Sequence, residues 1–249
     1  MSGEVVRRLV RSVLVLTPGL YDYVSAQRRF LWMDKLGKVH DRDFLALPQL
    51  LRGPAPVVID VGANSGQTVL SVKRVLPAAR VISFEPNPSS VVLLRRLSQR
   101  FPDLRIEAVG LGDREAEADF YTPVYNGNPM RGLASFDYTS ARTWLNEGTI
   151  FGFRPQRLEI RVERALIRRL DDYQLDPDLI KIDAQGFEDQ VVRGAMKTIQ
   201  RTRPLMLIEN PSSNLVAIFS GLGYRACEYR GGQLVPATGT ATNQYFVPS

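Results

Sequence analysis

Four acidic residues each close an apolar run: Asp60 after Val57-Val58-Ile59, Glu85 after Arg80–Phe84, Asp183 after Leu179–Ile182, and Glu209 after Pro204–Ile208. Short apolar runs of this kind are buried strands of a parallel sheet. Ligands of open α/β sheets bind beyond the carboxyl ends of the strands. Four carboxylates gathered there suit a ligand that carries positive charge and hydrogen-bond donors.

The first of these acids opens a turn, Gly62-Ala63-Asn64-Ser65-Gly66. A dinucleotide fingerprint needs a middle glycine so that backbone can approach a pyrophosphate. Asn64 stands in its place, so a nucleotide-like ligand without phosphates fits better. S-adenosylmethionine is such a ligand, with a ribose diol, an ammonium, a carboxylate and a sulfonium. Gly62 lets backbone pass close to the methionine portion. Gly66 opens the following helix, whose N–H groups can meet the carboxylate. Glu85 lies about 20 residues past the glycine turn, where an acid grips a ribose diol.

The elements that must position these residues alternate. A strand at 57–59 leads to a helix over 66–76. A strand at 80–84 leads through Glu85-Pro86 to Asn87, an N-cap with Pro88 at the first helical position, and on to a helix carrying Val92, Leu93, Leu94 and Leu97. A third strand spans 104–109. The alternation resumes with a strand at 179–183, a helix over 187–200, a strand at 204–209 and a short helix at 213–221. Two terminal strands at 224–230 and 243–248 follow. The fold expected is a doubly wound, mostly parallel, seven-stranded α/β sheet over residues 51–249. Residues 110–165 break the rhythm and read as an irregular, antiparallel insertion near the acceptor site, with short strands at 119–122 and 158–162. Residues 1–50 read as a helical cap: helices over 4–17, about 21–34, and a short one capped by Asp41 or Asp43.

The bulk numbers narrow the chemistry. Cys227 and His40 are single residues of their kind, which excludes internal disulfides and argues against zinc sites. The formal charge is +6, from 32 basic and 26 acidic residues. Most of the basic side chains are arginines scattered along the chain, a mild bias toward anionic partners. No apolar stretch reaches membrane-spanning length, and a cytoplasmic location is expected. The first helix sets Val5, Val6, Leu9, Val10, Val13 and Leu14 opposite Arg7, Arg8 and Arg11. It either touches an anionic membrane surface peripherally, covers the active site or packs on the core.

The segments "VIDVGANSGQ", "FEPNP" and "LIKIDAQGFEDQVVRGA" resemble the FkbM family of S-adenosylmethionine-dependent methyltransferases, over about residues 55–210. The family's usual K-I-D-x-E-G runs here as Lys181-Ile182-Asp183-Ala184-Gln185-Gly186, with glutamine in place of a glutamate. The resemblance implies a class I methyltransferase fold and O-methylation of a hydroxyl on a sugar, glycolipid or natural product. By motif, Asp60, Gly62, Ala63, Asn64 and Gly66 border the methionine end. Glu85 holds the ribose, Pro86 and Asn87 flank the adenosine, Asp113 approaches the adenine, and Asp183 faces the transferring methyl.

An alcohol becomes a competent nucleophile as its proton leaves, so a base or a metal must help. Asp183 is the first candidate base, and it equally suits a helix cap. Glu209 could orient the acceptor, and His40 titrates in the useful range. Asp183, Glu188 and Glu209 together could bind Mg²⁺, while Glu188 alone would complement a helix dipole. Tyr121, Tyr125 and Tyr138 could stack on a sugar or simply pack. Two other functions fit: a nucleic-acid methyltransferase, whose Asn/Asp-Pro-Pro-aromatic motif has only Glu209–Ser213 "ENPSS" as its nearest approach, and a non-catalytic cofactor-binding protein.

Overall fold

The computed structural model describes all residues except 1–2, 22–23, 25–32, 34 and 240. The helix expected over 21–34 lies mostly outside the described residues. Helix α1 (Gly3–Leu14) opens the chain. A 3-10 turn (Arg42–Ala46), capped by Asp41 accepting from the Asp43 N–H, leads into the short α2 (Leu47–Leu50).

The sheet follows. Strands β1 (Val57–Val61), β2 (Arg80–Phe84) and β3 (Leu104–Glu107) are linked by helices α3 (Gln67–Val75) and α4 (Pro88–Ser98). After the insertion, β4 (Gly110–Leu111) to β7 (Leu158–Arg168), come β8 (Leu179–Ile182), α6 (Glu188–Gly194), α7 (Met196–Thr202), β9 (Leu205–Glu209), α8 (Ser213–Gly221), β10 (Tyr224–Arg230), β11 (Gln233–Pro236) and β12 (Asn243–Pro248). The main sheet has the order β11-β10-β12-β9-β8-β1-β2-β3. The five strands from β9 to β3 pair in parallel. β12 is antiparallel to both β9 and β10, and β11 folds back on β10. The sheet therefore has eight strands, one more than expected. The extra strand is β11, formed because Gly231 and Gly232 both take positive φ and turn β10 into a hairpin.

Side chains alternate between two cores, as strand geometry requires. Ile59, Ile82, Ile180, Ile182, Met206 and Ile208 pack with Val191, Ile199, Leu215 and Phe219 on one face. Val58, Val81, Leu179, Leu207 and Tyr245 pack with Leu47, Val69, Val72 and Leu94 on the other. Each such side chain, fully buried, contributes about 1.5–3 kcal/mol relative to exposure. The helix expected over 187–200 is broken at Ala195. Gly194 there presses on the Gly112 carbonyl so closely that a Cβ would collide with it.

The insertion is more regular than the sequence suggests. β5 (Ala116–Tyr125) and β7 pair antiparallel over ten residue pairs from Ala116↔Ile167 to Tyr125↔Leu158, and β4 and β6 (Asn128–Pro129) complete a second, four-stranded sheet. Helix α5 (Tyr138–Thr143) sits beside it, N-capped by Asp137, which accepts from the Ser140 N–H. A third, small core of Val15, Tyr125, Met130, Leu145 and Ile150 joins the end of the first helical segment to this sheet. Asn128, fully buried, donates to the Thr17 carbonyl at 3.1 Å, and Asn126 donates to the Val15 and Leu16 carbonyls at 2.8 Å. Arg11 lies over the Trp144 ring at 4.5 Å and donates to the Thr149 carbonyl at 3.2 Å. Helix α1 thus packs on the insertion through its basic side, and Val5, Val6, Leu9, Val10 and Val13 remain exposed. The insertion and α1 form one cap. No described helix is long and apolar enough to cross a membrane.

Candidate active site

Strand order reverses between β1 and β8, and a crevice opens there beyond the strand ends. Its walls include Gly62, Asn64, Glu85, Pro86 and Asp183 from the main sheet, and Phe120, Arg131 and Phe136 from the cap.

Gly62 takes φ +76°, and a Cβ on it would collide with the Asp183 carbonyl. Backbone meets backbone at this point, so the turn after β1 and the end of β8 are locked together. Gly66 also has positive φ, but the atom it makes room for is Leu97 Cδ1 of α4. Its glycine serves helix packing. Ala63 is likewise buried among the side chains of the second core.

Glu85 is 5% exposed. Its two oxygens accept from the Asn64 N–H at 2.7 Å and the Asn87 N–H at 2.8 Å. Burial pushes its carboxyl up to about 7, against the pull of those two backbone donors. Each oxygen keeps a free lone-pair direction, so the carboxylate can still accept from two ligand hydroxyls. Asn87 itself does not line the crevice. Its side chain caps α4 by accepting from the Ser89 N–H at 3.0 Å.

Asp183 stands in the crevice wall. Its Oδ1 accepts from Gln185 Nε2 at 2.6 Å and its Oδ2 from Lys181 Nζ at 3.3 Å. Burial pushes its carboxyl up, but Lys181, a hydrogen bond from Glu209 and the Gln185 amide together hold it below the ordinary value. Glu209 is pushed the other way, to about 8, by burial and by the charge of Asp183. The two carboxyls therefore share one proton near neutral pH, held on Glu209. Asp60 is fully buried beneath the crevice and not in its lining; Ser83 donates to it at 3.3 Å, and Lys181 lies 3.8 Å from its other oxygen. Burial raises its proton affinity, and Lys181 opposes this.

Three expected residues lie elsewhere. His40 is exposed, with its backbone N–H on Ser71 Oγ at 2.9 Å, and it does not border the crevice. Asp113 falls past the lining residues Gly110 and Leu111, at the contact with Gly194. Where it was expected, Phe120, Phe136 and Phe187 build an apolar wall, with ring centroids 4.9 and 5.4 Å apart. Glu188 does not join a metal triad: its carboxylate turns back to accept from the Ala184 N–H at 2.9 Å and the Gly186 N–H at 3.0 Å. Among the described residues no group of three His, Cys, Asp or Glu is placed to hold a metal ion, so Asp183, Glu188 and Glu209 do not form the triad expected for Mg²⁺. Of the three tyrosines, Tyr125 is buried against Phe153 and its hydroxyl accepts from the Arg154 N–H at 2.9 Å. Tyr138 is 45% exposed, edge-on to Tyr121 at 5.2 Å.

Sequence reasoning assigned no role to Lys181, Gln185 or the three phenylalanines. A lysine inside an apolar strand, two residues before an acid, was a readable signal for the first. The phenylalanines gave none, because only the fold of the insertion brings Phe120 and Phe136 to Phe187.

The fold and crevice define a doubly wound α/β protein whose main crevice gathers acids at the strand ends. A family model for the methyltransferase FkbM domain matches residues 60–226. The chain belongs to this family. It is similar to the 2-O-methyltransferase NoeI of Sinorhizobium fredii, 29% identical over 171 residues, 67% of this chain and 66% of NoeI. It is also similar to the AMB antimetabolite synthetase AmbE of Pseudomonas aeruginosa, 33% identical over 180 residues, 63% of this chain and 8% of AmbE. The chain thus spans less than two thirds of either relative. Among solved structures, the FkbM methyltransferase of Methylobacillus flagellatus KT superposes with a TM-score of 0.52 at 18% identity, over 83% of this chain and 48% of that one, which shows the shared fold.

Proposed function

We propose that the protein is an S-adenosylmethionine-dependent O-methyltransferase acting on a hydroxyl of a sugar, glycolipid or natural product. The observation that carries this reading is that Glu85 and Asp183 flank one crevice beside Gly62 and Asn64, where Asn64 replaces the middle glycine of a dinucleotide fingerprint. Glu85 is oriented by two backbone donors to grip a ribose diol, and the phenylalanine wall offers apolar contact for a purine. Gly62 brings backbone close to the methionine portion.

Bound S-adenosylmethionine supplies an electrophilic methyl on a sulfonium. The chain's own residues hold the acceptor oxygen in line and keep water out. Asp183 in the crevice wall would accept the hydroxyl proton as the methyl passes from the sulfonium, which leaves as a neutral thioether, to the acceptor oxygen. Glu209 orients Asp183 and keeps its own proton at neutral pH. Tyr138, exposed on α5, offers a ring face to a sugar, and the name of NoeI supports a hydroxyl acceptor.

Two measurements test this. Calorimetry with S-adenosylmethionine should show binding; no heat and no thermal shift would end the reading. A screen with labelled methyl donor over glycans and small alcohols, run with and without EDTA, should then return a methylated hydroxyl. Methylation confined to RNA or DNA would replace it with a nucleic-acid enzyme.

A further inference from the structure

We propose that Gln185 is the positioning residue that aims the Asp183 carboxylate into the crevice, and that Ser135 ties this aim to the docking of the cap. The proposal rests on the methyl-transfer reading above.

Gln185 is a non-glycine residue at φ +51°. Such backbone is strained and persists only where its surroundings hold it. Two contacts hold it here. Its amide Nε2 donates to Asp183 Oδ1 at 2.6 Å, and its own carbonyl accepts from Ser135 Oγ at 2.8 Å. Ser135 is 1% exposed and belongs to the cap, bridged to β5 by the Tyr121 N–H to Ser135 carbonyl bond at 2.8 Å and its reciprocal at 3.0 Å. One residue later, Gly186 comes against Ser140 of α5. A continuous path therefore runs from the cap, through one backbone carbonyl, to the side chain on Asp183.

The other charged groups around Asp183 come from the main sheet and its helices. Lys181 shares its strand, Glu209 comes from β9, Asp60 from β1, Glu85 from β2 and Glu188 from α6. Among the described residues Gln185 is the donor to Asp183 that the cap also touches. An amide donates at every pH, whereas a glutamate at this position would need a proton to make the same bond.

The test uses the whole chain, ¹³C-labelled, with the Asp183 carboxyl carbon followed by NMR against pH and S-adenosylmethionine affinity followed by calorimetry. Gln185→Gly removes the amide while easing the positive φ, so this variant should fold at least as stably as the parent. Its Asp183 should bind a proton about tenfold more tightly than in the parent. Gln185→Glu should give a larger rise, through like-charge repulsion. Ser135→Ala should move Asp183 the same way by a smaller amount. Cofactor affinity should stay within about threefold in all three, under 1 kcal/mol. An Asp183 titration identical in parent and Gln185→Gly would overturn the positioning role. An unmoved titration in Ser135→Ala alone would overturn the tie to the cap. If the parent itself fails to bind S-adenosylmethionine, the methyl-transfer reading falls, while the Asp183 titration still decides what Gln185 does.

Discussion

The main sheet and the cap are built by opposite rules. In the sheet, each element declares itself locally: strands β1, β2, β8 and β9 are short, nearly continuous apolar runs buried on both faces, and turns fall where glycine, proline or a capping asparagine stands. In the cap, the first helical segment is held to the insertion by contacts between residues more than a hundred positions apart, such as Asn128 with Thr17 and Ser12 with Phe151. The sheet supplies the acids and Phe187, the cap supplies Phe120 and Phe136, and the crevice lies where the two meet.

The sharpest way to break the sheet's half is Gly62→Ala. The new Cβ would meet a carbonyl that cannot move, in a backbone region disfavoured for alanine. A loss of about 2–4 kcal/mol in unfolding free energy is expected by denaturant titration, with cofactor binding abolished. The cap's half breaks differently. Asn128→Ala strips donors from the Val15 and Thr17 carbonyls, and a local loss of about 2–3 kcal/mol is expected. Hydrogen exchange should quicken across residues 3–17 while the strands of the main sheet keep their protection. Equal quickening in both regions would erase the distinction drawn here.

Glu85→Gln sharpens the comparison at the crevice. S-adenosylmethionine affinity should fall about tenfold, or about 1.4 kcal/mol. In the parent, affinity should rise as pH climbs through about 7, because the ionised carboxylate is the better acceptor for ribose hydroxyls. The variant should lose that dependence. The smallest effect concerns Glu209. Its proton is released at about 8 when folded and at the ordinary 4.5 when unfolded. A carboxyl raised in this way adds stability that is fully present below 4.5 and lost as pH rises through about 8. Melting temperature should therefore decline toward alkaline pH, and Glu209→Gln should flatten that decline.

Legibility followed the same division. The strand ends at Asp60, Glu85, Asp183 and Glu209 could be read from apolar runs alone, as could the Asn87 cap. β11 was missed because a four-residue edge strand carries almost no periodic signal. β5 and β7 were read as short pieces because Pro123 and a mixture of charges interrupt their alternation, yet they pair over their whole length. The Mg²⁺ triad failed because spacing cannot reveal that Glu188 turns toward its own loop's N–H groups. Asp113 falls outside the crevice lining, and the wall near Leu111 is completed by rings from outside the motif, which spacing could not show.

Strand order has a practical bearing on how this protein is cut. The family match ends at Ala226, inside β10, yet the strand beside β9 is β12, from Asn243–Pro248. A fragment trimmed to residues 60–226 would bare the edge of β9 next to Glu209 and remove Tyr245 from the second core. An open apolar edge is a template for sticking to other chains. Any excised version intended for crystallography or display should carry the C-terminal hairpin region with it.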